Sequence, residues 1–377
     1  MTTIPPVSIR RARVLRLATA GPQDTAPLAA AIAAGEVDPA AIIGIVGKTE
    51  GNGCVNDFTR GYASQTLKWL LAEKLGCAPG AVEKRVALVM SGGTEGGLSP
   101  HILVLSREDG SEAPASTAKR LAIGVSFTRA FLPEEIGRQV QIDATALAVK
   151  AALDDAGIAS PADAHFVQIK CPLLTRERVM EAAGRGAAVA TDDTYHSMAL
   201  SRGASALGVA AALGELPASQ ATEQALCHDW SLHSTAASTS AGVELMRNEI
   251  VVLGNAAGWG GDLRIDHDVM ADAIDTSAPR RALARLGLSA AGQLDAAQRE
   301  RVVAVLAKAE AAPSGEIRGR RHTMLDDSDI HSTRHARALV GGVLAGVFGD
   351  TLLYVSGGAE HQGPAGGGPV AVIARVG

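Results

Sequence analysis

Ser240-Ala241-Gly242-Val243-Glu244 is one of three copies of a single pattern, preceded by Ser91-Gly92-Gly93-Thr94-Glu95 and followed by Ser356-Gly357-Gly358-Ala359-Glu360. Each copy reads serine, small residue, glycine, any residue, glutamate. Apolar, strand-like runs precede the first and third copies (Val86 to Met90, Leu352 to Val355), and another apolar run follows each copy after a gap. Taken singly, each reads as a hairpin: strand, tight turn, strand, with glycine supplying the backbone freedom. Three copies mean more if their surroundings recur in the same order.

They do recur. A strand-like run ending in lysine lies upstream of each serine: Ile42 to Lys48, Phe166 to Lys170 and Val302 to Lys308. Between lysine and serine an arginine opens a helix of small residues: Arg60-Gly61-Tyr62-Ala63, Arg202-Gly203-Ala204-Ser205 and Arg334-His335-Ala336-Arg337. Every third of the chain therefore carries lysine, arginine and serine in that order. The expected fold is α/β, with three similar α/β repeat units in pseudo-threefold symmetry around a central active site. The expected units are residues 1–106, 119–254 and 262–377.

Within the first unit the pattern predicts a strand over Val7 to Leu17, a helix over Thr25 to Ala34 and a helix from Arg60 to Leu75, stopped by Gly76. A polar stretch, Arg107 to Ala118, reads as a linker. The second unit should open with a strand (Arg120 to Phe127) and a helix (Asp143 to Ala156, ended by Gly157), and close on Glu249 to Leu253. Asn255 to Gly261 reads as the next boundary. The third unit is expected to hold helices near Val269 to Ile274 and Leu294 to Arg301.

Composition narrows the function. The 377 residues carry a net charge of -5 and only 3% aromatics, so a basic, ring-lined nucleic-acid surface is not expected. The longest uncharged apolar runs, Gly203 to Leu213 and Ala338 to Gly349, fall short of the ~20 residues that cross a bilayer. Arg13 and Arg16 interrupt the only run resembling an export signal. Four scattered cysteines without a CxxC pair argue against zinc ribbons and disulfide frameworks and fit a reducing cytoplasm. No phosphate-binding glycine motif is present. Ser116-Thr117-Ala118-Lys119 matches S-x-x-K but sits in the expected linker with no K-T-G after it. His331 and His335 have HxxxH spacing without the glutamate that a zinc protease needs, and His361 is read with them as structural.

Ile45 to Gly53, Ser91 to Gly96, Arg318 to Arg337 and Ser356-Gly357-Gly358 together resemble the cyclic amide hydrolases, the family of cyanuric acid hydrolase and barbiturase. The resemblance spans nearly the whole chain in order. Cys54 to Arg60 and Ser328 to Arg337 resemble the cyanuric acid hydrolase branch more closely. It implies three α/β units around one site, assembly as a homotetramer, and Lys170 with Ser240 as the acting pair.

The residue types agree with a flat ring bearing three carbonyls at about 120°. Each unit can offer a lysine (Lys48, Lys170, Lys308), an arginine (Arg60, Arg202, Arg334), a serine (Ser91, Ser240, Ser356) and the amide of the next small residue (Gly92, Ala241, Gly357). A buried lysine near arginine charge can lose its proton and activate a serine, while the other pairs bind and polarise carbonyls. Lys170 also lacks the glutamate found two residues after Lys48 and Lys308 (Glu50, Glu310), which should ease its neutral form. A non-catalytic binder of flat imides remains the competing class. No catalytic cofactor is expected. Glu310 and the loop after Ser356 suggest a structural magnesium or calcium ion held by oxygens, including Gln362. The resemblance adds Ala359, Gly363, Pro364 and Gly367 to that ligand set.

Overall fold

The computed structural model describes residues 7–113 and 117–376. The first unit runs β1 (Val7–Ala18), α1 (Ala26–Ala33), β2 (Ile42–Thr49), α2 (Phe58–Leu75), the short α3 (Pro79–Val82), β3 (Ala87–Gly92) and β4 (His101–Ala113). The second runs β5 (Arg120–Phe127), α4 (Gln139–Ala156), β6 (Ala164–Pro172), α5 (Arg176–Gly184), α6 (Thr194–Leu213), β7 (Ala237–Gly242) and β8 (Glu249–Ala256). After the two-residue β9 (Trp259–Gly260), the third has β10 (Leu263–Met270), α7 (Ser277–Arg285), α8 (Ala296–Arg301) and β11 (Val302–Ala309). It continues through the small ribbon β12 (Glu316–Ile317) and β13 (Arg320–Arg321) to α9 (Ser332–Phe348), β14 (Tyr354–Gly357) and β15 (Gly368–Arg375).

All three sheets have one topology. The spatial orders are β3-β2-β4-β1, β7-β6-β8-β5 and β14-β11-β15-β10: the third strand of each unit, then the second, the fourth and the first. Second and third strands are parallel, and the remaining pairs are antiparallel. The hairpin expectation is thereby corrected. β3 pairs with β2, not with β4, because the helix between lysine and serine provides a crossover that returns the chain parallel.

Why the strands are apolar on both faces follows from where each face packs. Ile45, Leu88 and Val104 point to α1 and α2 with Leu28, Leu67 and Leu71, whereas their neighbours Val46, Val89, Leu103 and Leu105 enter a core shared by all three units. The third sheet divides likewise, Val305 and Val372 toward its own helices and Ala304, Leu306 and Ile373 into the shared core. Alternate residues thus serve two cores, which gives near-continuous apolar strands. The helices that carry the arginines, α2, α6 and α9, each end on a glycine in the left-handed region (Gly76 φ 61°, Gly214 φ 71°, Gly349 φ 67°), the conformation that only glycine enters freely.

Three expectations shift. Residues 107–113 are strand, paired with β1, so the polar stretch is largely a sheet edge; Ser116 of the S-x-x-K match lies outside the described residues. The helix expected from Val269 to Ile274 is the end of β10 and a turn: Leu263 and Ile265 alternate with polar residues, a strand period masked by the charges between them. Trp259–Gly260 joins β1 in parallel, so the second boundary stitches itself onto the first sheet. Among the described residues no helix is long and apolar enough to cross a membrane.

Candidate active site

The strand registers assemble the site. Lys48 lies opposite Ser91, Lys170 opposite Ser240 and Lys308 opposite Ser356, so each lysine and serine separated by a helix in sequence become direct partners across a parallel pair. The serine strands β3, β7 and β14 are the outer strands of their sheets, and their free edges meet in the middle of the molecule. Edge strands expose unpaired backbone groups; here each edge covers the others. Lys170 Nζ donates to Met90 O (2.5 Å) and Lys308 Nζ to Thr239 O (2.9 Å), in each case the carbonyl just before a serine of another unit.

In the first and third serine strands the amide bonded to its partner belongs to the residue two after the serine: Gly93 N donates to Thr49 O, and Gly358 N to Ala309 O. The amides of Gly92 and Gly357, one residue back, therefore face the free edge. There a small cavity is lined by Ser91, Gly92, Ser240, Ala241, Gly357, Arg60, Arg202, Arg337, Gly53 and Met198. Gly92 has no room for a side chain, since a Cβ would lie 1.8 Å from Asp57 Oδ2.

Each arginine crosses to the next unit. Arg202 clamps Glu360 through two hydrogen bonds (2.7 and 2.6 Å), and Arg337 clamps Glu95 (2.8 and 2.5 Å). Arg60 donates to Ala241 O (2.8 Å) and to Cys54 O (2.6 Å), with Asp57 at 3.8 Å. First unit reaches second, second reaches third, and third closes on first. The third arginine is Arg337, not Arg334. Arg334 lies one helical turn earlier, two-fifths exposed, and only approaches Glu95 at 3.4 Å, whereas Arg337 is buried and lines the cavity.

The middle unit departs from the symmetry. Lys48 donates to the hydroxyl of Ser91 and Lys308 to that of Ser356, both at 3.2 Å, and Ser91 donates onward to Ser356 (3.3 Å). Lys170 instead stands 2.9 Å from Glu244 Oε1, and among the described residues no lysine hydrogen-bonds the Ser240 hydroxyl. Gly242 makes this approach possible: a Cβ there would fall 2.2 Å from Glu244 Oε2 and 2.6 Å from Lys170 Cε. The expectation that Lys170 has no carboxylate beside it is overturned. The partner comes from the serine strand's own glutamate, while Glu50 is exposed.

All three lysines are fully buried, and burial pulls each below the usual lysine range. Lys48 falls well below it, with Arg337 adding to burial; Lys308 comes to about 7, with Arg202 adding. Lys170 is lowered by burial and held up by Glu244. Burial raises Glu244, but Lys170 and Arg60 outweigh it and leave the carboxyl below its usual range.

A chain of three units sharing one sheet topology has known counterparts. Residues 13–375 match the model of the amidohydrolase ring-opening protein family. The chain belongs to that family. It is 58% identical to a cyanuric acid amidohydrolase of Ectopseudomonas oleovorans over 97% of this chain and 99% of the relative, and 54% identical to one of Pseudomonas sp. strain ADP (96% and 98%). A solved cyanuric acid hydrolase, described as an evolutionary innovation by structural concatenation, is similar with a TM-score of 0.93 and 53% identity, covering 97% of this chain and 100% of that one. The cyanuric acid hydrolase of A. caulinodans is similar with a TM-score of 0.91, 55% identity and coverage of 98% and 99%. This ring-opening amidohydrolase is thus a hydrolase acting on a cyclic amide.

Sequence reasoning assigned no task to the glutamate of the repeated pattern, although Glu95, Glu244 and Glu360 hold an arginine or a lysine in every unit. Gly53, Asp57 and Met198 were missed as well; nothing in their spacing repeats.

In the third unit, Glu310 is fully buried and accepts from Ala359 N (2.5 Å), and burial with the adjacent Glu360 pushes its carboxyl up to about 7. A carboxylate crowded by another carboxylate is a fit for a cation. The side chain of Gln362 is not free for it, since Oε1 accepts from Thr239 N (2.7 Å) and Nε2 donates to Gly358 O and Glu360 O. Ala359 O and Pro364 O each accept one backbone amide, from Gln362 and Gly367, and keep a second lone pair. Among the described residues no cluster of three or more acidic, histidine or cysteine side chains could hold a metal, so any ion here would rest on Glu310 and main-chain oxygens.

Proposed function

We propose that this enzyme opens the ring of cyanuric acid by hydrolysis, with Ser240 as nucleophile and Lys170 as its base. The observation that carries the assignment is the broken symmetry: Ser91 and Ser356 are each held by a lysine and by one another, and only Ser240 lines the cavity with its hydroxyl unengaged by a lysine. Neutral Lys170 takes the Ser240 proton as Oγ attacks a ring carbonyl. The developing oxyanion would be met by outward amides and guanidinium groups already in place. The ring C–N bond breaks, and the departing nitrogen takes the proton back from Lys170. Water, deprotonated by the same lysine, attacks the acyl carbon; the Ser240 Oγ–C bond breaks, Oγ takes the proton of the new carboxyl group, and carboxybiuret leaves as its carboxylate with Lys170 protonated, then loses CO2 to give biuret. The other two units bind the remaining carbonyls.

Incubation with cyanuric acid and, separately, barbiturate should release ring-opened product from cyanuric acid, identified by mass spectrometry. Ser240→Ala should abolish it, while Ser91→Ala and Ser356→Ala keep residual turnover or lose binding. Near-wild-type turnover by Ser240→Ala beside a dead variant at another serine moves the chemistry to that unit. No product from either ring makes the protein a binder.

We further infer a structural magnesium or calcium ion on Glu310 with main-chain oxygens of Ala359, Gln362, Gly363, Pro364 and Gly367. When bound it would neutralise Glu310 and brace the loop behind Ser356. Assembly as a homotetramer in the cytoplasm completes the reading; sedimentation velocity tests the oligomer.

A further inference from the structure

Each turnover in the proposed reaction yields an N-carboxy acid that ionises near neutral pH, so a proton must leave a site whose base, Lys170, is wholly buried. An open cleft of about 240 Å³ lies between the first and second units and shares no lining residue with the substrate cavity. Its lining includes Ser64, Lys68, Met246, Arg247 and Glu244, with exposed Ala130 at the rim. Glu244 is the cleft residue that reaches Lys170, 2.9 Å away. Of the buried polar atoms in this lining, Ser64 Oγ has no hydrogen-bond partner, and Glu244 Oε1 has none beyond its 2.9 Å ion pair with Lys170. Orphaned polar atoms in a roomy polar cleft are places for ordered water.

We propose that Glu244 and water in this cleft form the proton exit of the active site, passing the proton from Lys170 to bulk solvent while substrate fills the active-site cavity. The proton moves from Lys170 Nζ to a Glu244 oxygen and from there to a cleft water, and the lysine is left neutral for the next attack. Other charges facing Glu244 are Arg60 and Arg178 from the packed elements and Lys68, Glu83, Arg247 and Glu249 around the cleft. The inference rests on Lys170 as base, and Glu244 serves as a positioning and relay residue.

The test is chemical rescue in the full-length enzyme. Glu244→Gln, which keeps the shape, and Glu244→Ala should both lose about 10-fold or more in kcat with little change in KM. Added formate should restore turnover several-fold in Glu244→Ala, and the added Ala130→Trp, which narrows the rim without touching Lys170, should remove that rescue. Wild-type turnover by Glu244→Gln, no rescue by formate, or rescue indifferent to Ala130→Trp each overturns the exit. If Ser240→Ala and Lys170→Met still turn over, it is the serine–lysine reading that has failed instead.

Discussion

At the scale of single residues, the site is a set of buried cations whose partners differ. Lys170 is lowered by burial yet tied to Glu244, so activity should rise with pH through a limb below the ~10.4 of a free lysine, because the base works only after losing its proton. Lys170→Arg should be inactive under all conditions, since guanidinium keeps its proton; retained turnover in a steady-state assay excludes lysine as the base. The two arginines of α9 give a sharper contrast. Arg337→Met should cost about 100-fold in kcat/KM, as expected for one preorganised donor, while Arg334→Met stays within a few-fold. Equal losses in the two variants would mean that both guanidinium groups serve the substrate.

Among elements, the strand–helix–strand unit was legible because its lysine, arginine and serine keep their order, and the parallel registers place those residues together. What stayed hidden has physical causes. Arg334 and Arg337 sit three apart on one helical face, so periodicity favours neither; only the depth of α9 against β14 separates them. The parallel return of β3 was read as a hairpin because two strands close in sequence usually pair, and nothing local says that β4 will insert beside β2. β10 hid because polar residues alternate along a strand with one wet face. The loop between β14 and β15 carries a prediction of its own: if an ion sits on Glu310, chelator should lower the wild-type melting temperature by several degrees and leave Glu310→Gln unmoved. Equal melting shifts in both proteins, with no metal in elemental analysis, would remove the ion.

Across the whole molecule, the boundaries between units are the places where acid should act. His165 of the second unit and His267 of the third meet with Nδ1 atoms 2.9 Å apart, and burial holds both near pKa 4. Their folded values lie below the unfolded value near 6.5, so the pair contributes stability present above pH 6.5 and lost as pH falls toward 4. Calorimetry on His165→Gln/His267→Gln should show a shallower fall of Tm between pH 6.5 and 4 than the wild type shows; an unchanged slope would place the acid sensitivity elsewhere. The cyclic hand-over of arginines has another consequence. Had the three units been separate identical subunits, any mutation would have appeared three times, and Asp57 could not have drawn one arginine away from its glutamate while the other two kept theirs. Joining the units in one polypeptide let a single gene change one corner of a triangle at a time, and so give one serine a different neighbourhood from its two siblings.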